Sequence, residues 1–275
     1  PEYYLTGCEY EILSLQSGSV ADTFMDHLKQ FDLVELGAGD CFKSKFLLKE
    51  LCRRSLDFTF FAVDISENSV EQLNLNLPRE VPGLKLRGLN GEYLPMLKKA
   101  QELSRTPKAV LFLGSNIGNM EKGATLSFLE ELRSLLHPGD LVLIGFDLKK
   151  DPHMILAAYN DKRGITRSFN LNLLERINRE LQADFDTDEF THFPVYDPLT
   201  GTCRSYLVSL SEQRVNLGVP GETVYFQENE PVCTEISQKY GREEIAALAG
   251  QAGFEPIAAL YDRKRWFTDV VWKCI

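Results

Sequence analysis

The chain has 275 residues, of which 44% are hydrophobic and 25% are charged, as in an ordinary globular protein. Its formal net charge of −10 argues against nucleic acid as a partner, because an acidic surface repels phosphates. No apolar run reaches the roughly 18 residues of a membrane span, and no signal peptide is visible. The six cysteines show neither CxxC pairs nor zinc-ligand spacing, so we expect reduced thiols, no metal and a cytoplasmic protein.

From about residue 19 to residue 150, predicted helices and strands alternate. Helices are predicted at 19–30, from about 43, at 66–77 and at 122–136. Strands are predicted at 32–36, 58–63, 84–87, 109–113 and 141–146. Because these strands are short and almost continuously apolar, they indicate a parallel sheet that is covered on both faces.

The alternation stops after residue 159. Residues 160–235 contain a helix, FNLNLLERINREL, and strand-like segments such as SYLVSL and TVYFQ, and we predict an inserted α+β substrate-binding lobe there. The predicted core then consists of residues 1–159 and 236–275.

The last part of the chain returns to the core pattern. A helix is predicted at 243–252, and strands at 255–261 and 268–274 enclose the charged turn DRKR. This arrangement predicts an antiparallel hairpin. A Rossmann-like parallel sheet that finishes in such a hairpin is characteristic of class I methyltransferases, which we predict as the α/β fold class.

The stretch LVELGAGDCFKS indicates a nucleotide-binding turn after the first strand. Gly37 and Gly39 match the first two glycines of the dinucleotide fingerprint, but Phe42 stands at the third position. Glu35, just before the turn, would repel a pyrophosphate and suits a cationic ligand. S-adenosylmethionine is such a ligand, since it carries a sulfonium and an ammonium group and has no phosphate.

Acidic residues also follow the next two strands. Asp64 ends the second strand, where a carboxylate can accept hydrogen bonds from both ribose hydroxyls. Glu92 and Tyr93 follow the third strand, where an acid and a ring could meet the adenine amine and face. The ends of parallel strands lie along one edge of the sheet, so these residues together predict S-adenosylmethionine as the cofactor.

Two further segments point to the methyl acceptor. The loop FLGSNIGNM carries the amides of Asn116 and Asn119 beside the expected methyl group, although a plain Gly/Asn turn would look similar. In CTEISQKY, Glu235 and Ser237 lie two residues apart, so in an extended segment their side chains point the same way. A carboxylate and a hydroxyl could bind the two nitrogens of an imidazole, although a solvated polar loop is an alternative.

The motifs PEYYLT, ELGAG, VDIS, FLGSNIGN, AAYND, FNLNLL and TEISQKY occur together and in order. In this combination the chain resembles the histidine Nα-methyltransferases of ergothioneine biosynthesis over nearly its whole length. The resemblance implies methylation of the α-amino group of L-histidine, up to trimethylhistidine. Fungal relatives in the same superfamily methylate a prenylated tryptophan.

The resemblance also implies roles for individual residues. It implies that the cofactor is bound by Gly37, Lys43, Asp64, Glu92, Tyr93 and Gly114, to which the glycine turn adds Gly39. Gly114 is expected to lie next to the transferred methyl group. The acceptor positions are Asn119 and Tyr159 for the amine and carboxylate, Tyr3 and Phe169 lining the site, and Glu235 and Ser237 for the imidazole. We expect Gly114, Asn119 and Tyr159 to take part in catalysis.

Three positions depart from the family pattern. Glu92 replaces an aspartate, Asn116 replaces a threonine, and a methionine of the substrate pocket is replaced near Ser205. The chain also begins at Pro1, and the family has a preceding segment with another tyrosine, so the list of site residues is expected to be incomplete.

Two alternatives remain open from the sequence. The same chemistry could act on another aromatic amino acid or an amine, or the chain could be a non-catalytic module that binds S-adenosylmethionine. We expect a monomer with a small-molecule substrate.

Overall fold

The computed structural model describes residues 4–219 and 221–275. The α-helices are α1 (Leu5–His27), α2 (Lys45–Arg53), α3 (Glu67–Glu80), α4 (Tyr93–Leu103), α5 (Lys122–Leu135), α6 (Pro152–Tyr159), α7 (Ile165–Leu181) and α8 (Arg242–Gln251). The β-strands are β1 (Asp32–Leu36), β2 (Thr59–Asp64), β3 (Lys85–Asn90), β4 (Lys108–Phe112), β5 (Leu141–Asp147), β6 (Phe190–Asp197), β7 (Thr202–Ser209), β8 (Gln213–Asn216), β9 (Thr223–Phe226), β10 (Pro231–Gln238), β11 (Phe254–Tyr261) and β12 (Phe267–Cys274).

The chain divides into two compact units. The core unit consists of residues 5–148 and 240–275, and the inserted unit consists of residues 149–239 together with Tyr4. The sequence placed the boundaries at 159/160 and 235/236, so the inserted unit extends beyond the predicted lobe at both ends. The role of this unit in substrate binding stays a prediction.

The core unit is built on a seven-stranded sheet with the order β11-β12-β5-β4-β1-β2-β3. Strands β1 to β5 pair in parallel, and β12 pairs antiparallel with both β5 and β11. The predicted class I methyltransferase architecture with its C-terminal antiparallel hairpin is confirmed.

The central strands form because their side chains are apolar towards both faces. Every residue of β1, β4 and β5 is buried. On one face, Val34, Phe112 and Ile144 belong to a hydrophobic cluster with Leu97 of α4 and Leu129 of α5. Glu35 alternates with Val34 and therefore points to the opposite face, the side of α1.

Several elements differ from those predicted. Helix α1 begins at Leu5 rather than Ser19, because its buried face continues through Cys8, Glu9 and Ile12 at helical spacing. Helix α4 was missed, although Pro95 lies in its first turn, where a proline is tolerated. The sequence also gave no separate prediction for α6, β6, β8 or β10.

The inserted unit has its own small core. Strands β10, β7 and β6 form an antiparallel sheet in that order, and β8 and β9 form a hairpin. Leu174 of α7 packs with Phe190, Leu207, Val215 and Phe226 of these strands. Helix α6 begins with Asp151 as N-cap, which accepts a hydrogen bond from His153 N, and with Pro152 in the first position.

Candidate active site

In the core unit, the predicted cofactor residues meet at the carboxyl ends of β1, β2 and β4. Gly37 has φ +79°, and a Cβ there would lie 3.2 Å from Tyr93 Oη and 3.3 Å from Asn116 Nδ2. Gly114 has φ +81°, and a Cβ there would lie 3.6 Å from Lys43 Nζ. The absence of side chains at Gly37 and Gly114 therefore leaves space for a ligand at the carboxyl ends of the strands, where ligands bind in sheets of this kind.

Besides its predicted place at the cofactor ribose, Asp64 binds the backbone of the glycine turn and of the start of α3. Its two carboxylate oxygens accept hydrogen bonds from the N–H groups of Gly39 and Ser66, each at 2.9 Å. The carboxylate thus fixes the glycine turn and the start of α3, where Ser66 Oγ accepts a bond from Ser69 N. Burial first, and then the nearby Asp64 charge, raises the pKa of Tyr93, as expected for a phenol near a carboxylate.

A cavity of about 510 Å³ lies beside the predicted adenine residues. Its walls include the apolar side chains of Ile65, Pro95 and Phe128 together with Glu92 and Tyr93. An aromatic base with an exocyclic amine would find both apolar surface and an acceptor there. The sequence analysis did not single out Ile65, although it directly follows Asp64.

Glu35 lies beneath the glycine turn and does not reach its surface. It is buried, and it accepts a hydrogen bond from Cys41 Sγ at 3.5 Å. Burial raises its pKa from 4.5 to about 7, against smaller opposing effects from Ser44 and Lys43. Its predicted attraction for a cationic ligand is therefore weaker than a surface carboxylate would give.

A buried group that the sequence analysis missed is Glu9 of α1. Both carboxylate oxygens accept from the Gly114 N–H, at 2.7 and 2.9 Å, and Lys43 Nζ forms an ion pair with Oε2. A Cβ on Gly145 of β5 would overlap Glu9 Oε1, so glycine at this position leaves the space that the carboxylate occupies. Glu9 therefore holds two predicted cofactor residues.

Asp269 adds a second acid next to Glu9. It pairs with Gly145 across β12 and β5, is buried, and neither of its carboxylate oxygens has a hydrogen-bond partner among the described residues. Burial first, and then Glu9, raises its pKa well above the usual range, while Lys43 opposes this. We call Glu9, Lys43, the Gly114 N–H and Asp269 the Glu9 cluster.

The acceptor residues of the inserted unit form a separate network. Tyr159 at the end of α6 and Ser237 of β10 are both buried, and Tyr159 Oη donates a hydrogen bond to Ser237 Oγ at 2.7 Å. Lys239, which the sequence analysis also missed, donates to both hydroxyls at 2.7 Å. We call Tyr159, Ser237 and Lys239 the Lys239 cluster.

Glu235 lies on the same face of β10 as Ser237. It is half-buried, and its Oε2 accepts a hydrogen bond from Ser205 Oγ at 3.1 Å. Ser205, near which the sequence departs from the family pattern, is buried in β7 opposite Glu235. A hydroxyl there orients the carboxylate, which a methionine could not do.

The other predicted acceptor residues are described each within its own unit. Asn116 and Asn119 form the ends of a short 3₁₀ turn after β4, and Asn119 is exposed. Phe169 lies on α7 and is 69% exposed. Tyr3 lies outside the described residues.

No helix in the described part of the chain is both long and apolar enough to cross a membrane. Within residues 4–219 and 221–275, no group of three or more acidic, histidine or cysteine side chains is arranged to hold a metal ion.

Comparisons with known proteins agree with this picture. Residues 1–274 match the family model described as histidine-specific, S-adenosylmethionine-dependent methyltransferase. The chain is 35% identical to the histidine N-alpha-methyltransferase of Mycobacterium tuberculosis, over 98% of this chain and 80% of that protein. It is 27% identical to ergothioneine biosynthesis protein 1 of Schizosaccharomyces pombe, over 94% of this chain and 34% of that protein.

Among solved structures, the chain is similar to the CcbJ methyltransferase from Streptomyces caelestis. The TM-score is 0.51 at 14% sequence identity, and the match covers 97% of this chain and 95% of the other. At this identity the similarity supports the fold alone.

Proposed function

The chain belongs to the family of histidine-specific, S-adenosylmethionine-dependent methyltransferases, and we propose that it methylates the α-amino group of L-histidine in ergothioneine biosynthesis. The observation that carries this proposal is the family match over residues 1–274. The polar pair of Glu235 and Ser237 supports an imidazole-bearing acceptor. The number of methyl groups, up to three, is part of the proposal.

The residues of the core unit fit the cofactor. The glycines at 37 and 114 leave space at the strand ends, and the apolar cavity beside Glu92 suits an adenine. Glu9 accepts from the Gly114 N–H and pairs with Lys43, so it holds two of the proposed cofactor residues in place. We propose the cofactor contacts Gly37, Gly39, Lys43, Asp64, Glu92, Tyr93 and Gly114.

For the acceptor we keep the predicted assignments as proposals. Glu235 and Ser237 bind the imidazole, and Tyr159 binds the amino acid backbone. Asn116, Asn119 and Phe169 are proposed to complete the acceptor site. Tyr159 donates its single hydroxyl proton to Ser237, so towards a ligand its oxygen would act as an acceptor, which suits an amine N–H.

Bound S-adenosylmethionine supplies an electrophilic methyl group on sulfur. The chain's part in the reaction is to hold a neutral α-amine with its lone pair on the line of the S–CH₃ bond. Little new charge appears during such a transfer, so positioning supplies most of the catalysis. The amine must first lose a proton, and we propose that water takes it. Glu9 contributes by fixing Gly114 and Lys43.

We also propose that the protein is a cytoplasmic monomer. None of the six cysteines, all of which the structure describes, forms a disulfide, as is usual in a reducing compartment. Size-exclusion chromatography with light scattering would test the oligomeric state.

A panel of acceptors tests the proposed function. The protein is incubated with S-adenosylmethionine and L-histidine, L-tryptophan, L-phenylalanine or histamine, and products are identified by mass spectrometry. We expect methylation of L-histidine alone. Transfer to tryptophan instead would move the acceptor to another aromatic amino acid, and cofactor binding without any transfer would indicate a non-catalytic module.

A further inference from the structure

The Lys239 cluster has a defined hydrogen-bond direction. The buried Lys239 ammonium donates to Tyr159 Oη and to Ser237 Oγ, and its Nζ also lies 4.8 Å from the centre of the Tyr159 ring. Tyr159 in turn donates to Ser237. A phenol is a stronger acid than an aliphatic hydroxyl, so the phenol is the natural donor of this pair.

Ser237 therefore receives two hydrogen bonds. A serine hydroxyl has two lone pairs and one proton. Lys239 and Tyr159 occupy both lone pairs of Ser237, and Ser237 Oγ donates to none of the described residues. Only the hydroxyl proton of Ser237 remains available, so Ser237 can bind a ligand only as a hydrogen-bond donor.

Glu235 offers the opposite polarity. It lies two residues before Ser237 on the same face of β10, and an ionised carboxylate can only accept. Ser205 donates to one of its oxygens, Oε2. A ligand that spans Glu235 and Ser237 thus meets one acceptor and one donor.

We propose that Lys239 is a specificity-determining residue that fixes Ser237 as a donor, so that the Glu235–Ser237 pair selects a neutral azole. Such a ring has one N–H for Glu235 and one unprotonated nitrogen for Ser237. An imidazolium has two N–H groups, and the second would face the Ser237 proton. The inference rests on the proposed function, because it assigns the imidazole to this pair.

The charged and titratable groups around Ser237 come from three sides. On the same face of the sheet are Glu235 of β10 and Lys239, which directly follows β10, with Cys203 of β7 and Tyr196 of β6 in register with Ser237, and Tyr159 packs from α6. In the wild type, we attribute the expected pH dependence of histidine binding to protonation of the ligand's imidazole.

The test compares two ligands at two pH values. L-histidine and β-(1,2,4-triazol-3-yl)-L-alanine are titrated by calorimetry, at pH 5.5 and pH 8, into protein saturated with S-adenosylhomocysteine. The triazole also offers an N–H and a free nitrogen, but it stays neutral at both pH values. With an imidazole pKa of about 6.5, we expect histidine affinity to fall about tenfold at pH 5.5, and triazole affinity to change less than twofold.

Variants assign this behaviour to Lys239. In Lys239→Met, one lone pair of Ser237 becomes available to accept the second N–H of an imidazolium. We therefore expect histidine affinity to fall less than about threefold more than triazole affinity between pH 8 and pH 5.5. In Lys239→Gln, the amide N–H₂ can still donate to Ser237, so the wild-type difference should return. Lys108→Met, which removes a buried lysine of the core unit, is the matched control and should behave as the wild type does.

The outcomes separate this inference from the proposed function. Equal pH dependence for both ligands in the wild type, or an unchanged histidine loss in Lys239→Met, would overturn the role of Lys239. If neither ligand binds at pH 8 while S-adenosylhomocysteine does, the proposed histidine specificity fails and the inference fails with it. If Lys239→Met does not fold, the wild type and Lys239→Gln are compared instead. If the wild type loses more histidine affinity than triazole affinity at pH 5.5 but Lys239→Gln does not, the role of Lys239 is overturned.

Discussion

The Glu9 cluster of the core unit and the Lys239 cluster of the inserted unit each contain a lysine, partly exposed in the first and fully buried in the second, and they surround it differently. Lys43 pairs with the Glu9 carboxylate and lies near Asp269, whereas Lys239 donates to two hydroxyls. A carboxylate neutralises the charge of the lysine beside it. A hydroxyl stays neutral, and when it accepts hydrogen bonds from its neighbours it keeps its own proton to donate. The two clusters therefore differ in their proposed roles: the Glu9 cluster holds Gly114 and Lys43 in place, and the Lys239 cluster fixes the proton donor that the acceptor ring is proposed to meet.

The largest effect is expected at Glu35, the buried acid beneath the glycine turn of the core unit. Its pKa of about 7 in the folded chain lies above the ordinary 4.5, so the folded state holds a proton that the unfolded state releases. Stability from this group is present below about pH 4.5 and is lost as the pH rises through 7. Over that range the loss is about 3 kcal/mol, at 1.36 kcal/mol per pKa unit.

Glu35→Gln removes this titration. We expect its free energy of unfolding, relative to wild type, to rise by up to about 3 kcal/mol between pH 5 and pH 8. Denaturant melts at the two pH values measure the change. Glu71→Gln, an exposed residue of α3, is the control. A constant difference between Glu35→Gln and wild type would mean that Glu35 titrates normally.

The next largest effect is expected for Glu9→Gln. The amide oxygen can still accept from Gly114 N–H, but the charge that holds Lys43 is lost. Because hydrogen bonds to buried charged groups contribute about 1.5–3 kcal/mol, kcat/KM for S-adenosylmethionine should fall about 100-fold. Steady-state kinetics with either substrate varied measure this change, and the KM for histidine should move much less.

Glu11→Gln on the same helix is the matched control for Glu9. Glu11 pairs with Arg263 away from the Glu9 cluster, so its removal should leave the kinetics as they are. Equal loss of both substrates' affinities in Glu9→Gln would show that Glu9 only supports the fold.

The smallest of the three effects is expected on the acceptor side. Glu235→Ala removes the proposed acceptor for the ring N–H, so the KM for histidine should rise about 30-fold. Binding of S-adenosylhomocysteine, followed by calorimetry, should change little. Glu228→Ala, at an exposed position before β10, serves as control. If Glu235→Ala weakens cofactor and histidine equally, Glu235 is a structural residue.

Much of the core unit could be predicted because parallel strands leave strong signals. Apolar strands that alternate with helices indicated the sheet, and Gly37 directly after β1 and Asp64 at the end of β2 necessarily lie at one edge. The start of α1 was missed because Glu9 interrupts its apolar face, and an acid on a helix reads as a solvated residue. Its contacts with Gly114 and Lys43, far away in the chain, show why it is buried.

The acceptor side was less predictable. The spacing of Glu235 and Ser237 indicated a polar pair, and continuing that alternation would have reached Lys239. A lysine is nevertheless rarely buried, so the sequence alone favours a surface position for it. The direction in which Tyr159 and Ser237 share their protons depends on atoms within hydrogen-bond distance, which no sequence pattern records.

The most direct measurement of the central claim is the position of the methyl group in the histidine product of the acceptor panel. Histidine labelled with ¹⁵N at the α-amine is incubated with protein and S-adenosylmethionine, and the product is examined by tandem mass spectrometry and NMR. We expect every added methyl group on the labelled α-nitrogen, since Glu235 and Ser237 are proposed to occupy the ring nitrogens. Methylation of a ring nitrogen, or no methylated histidine at all, would contradict the proposed function.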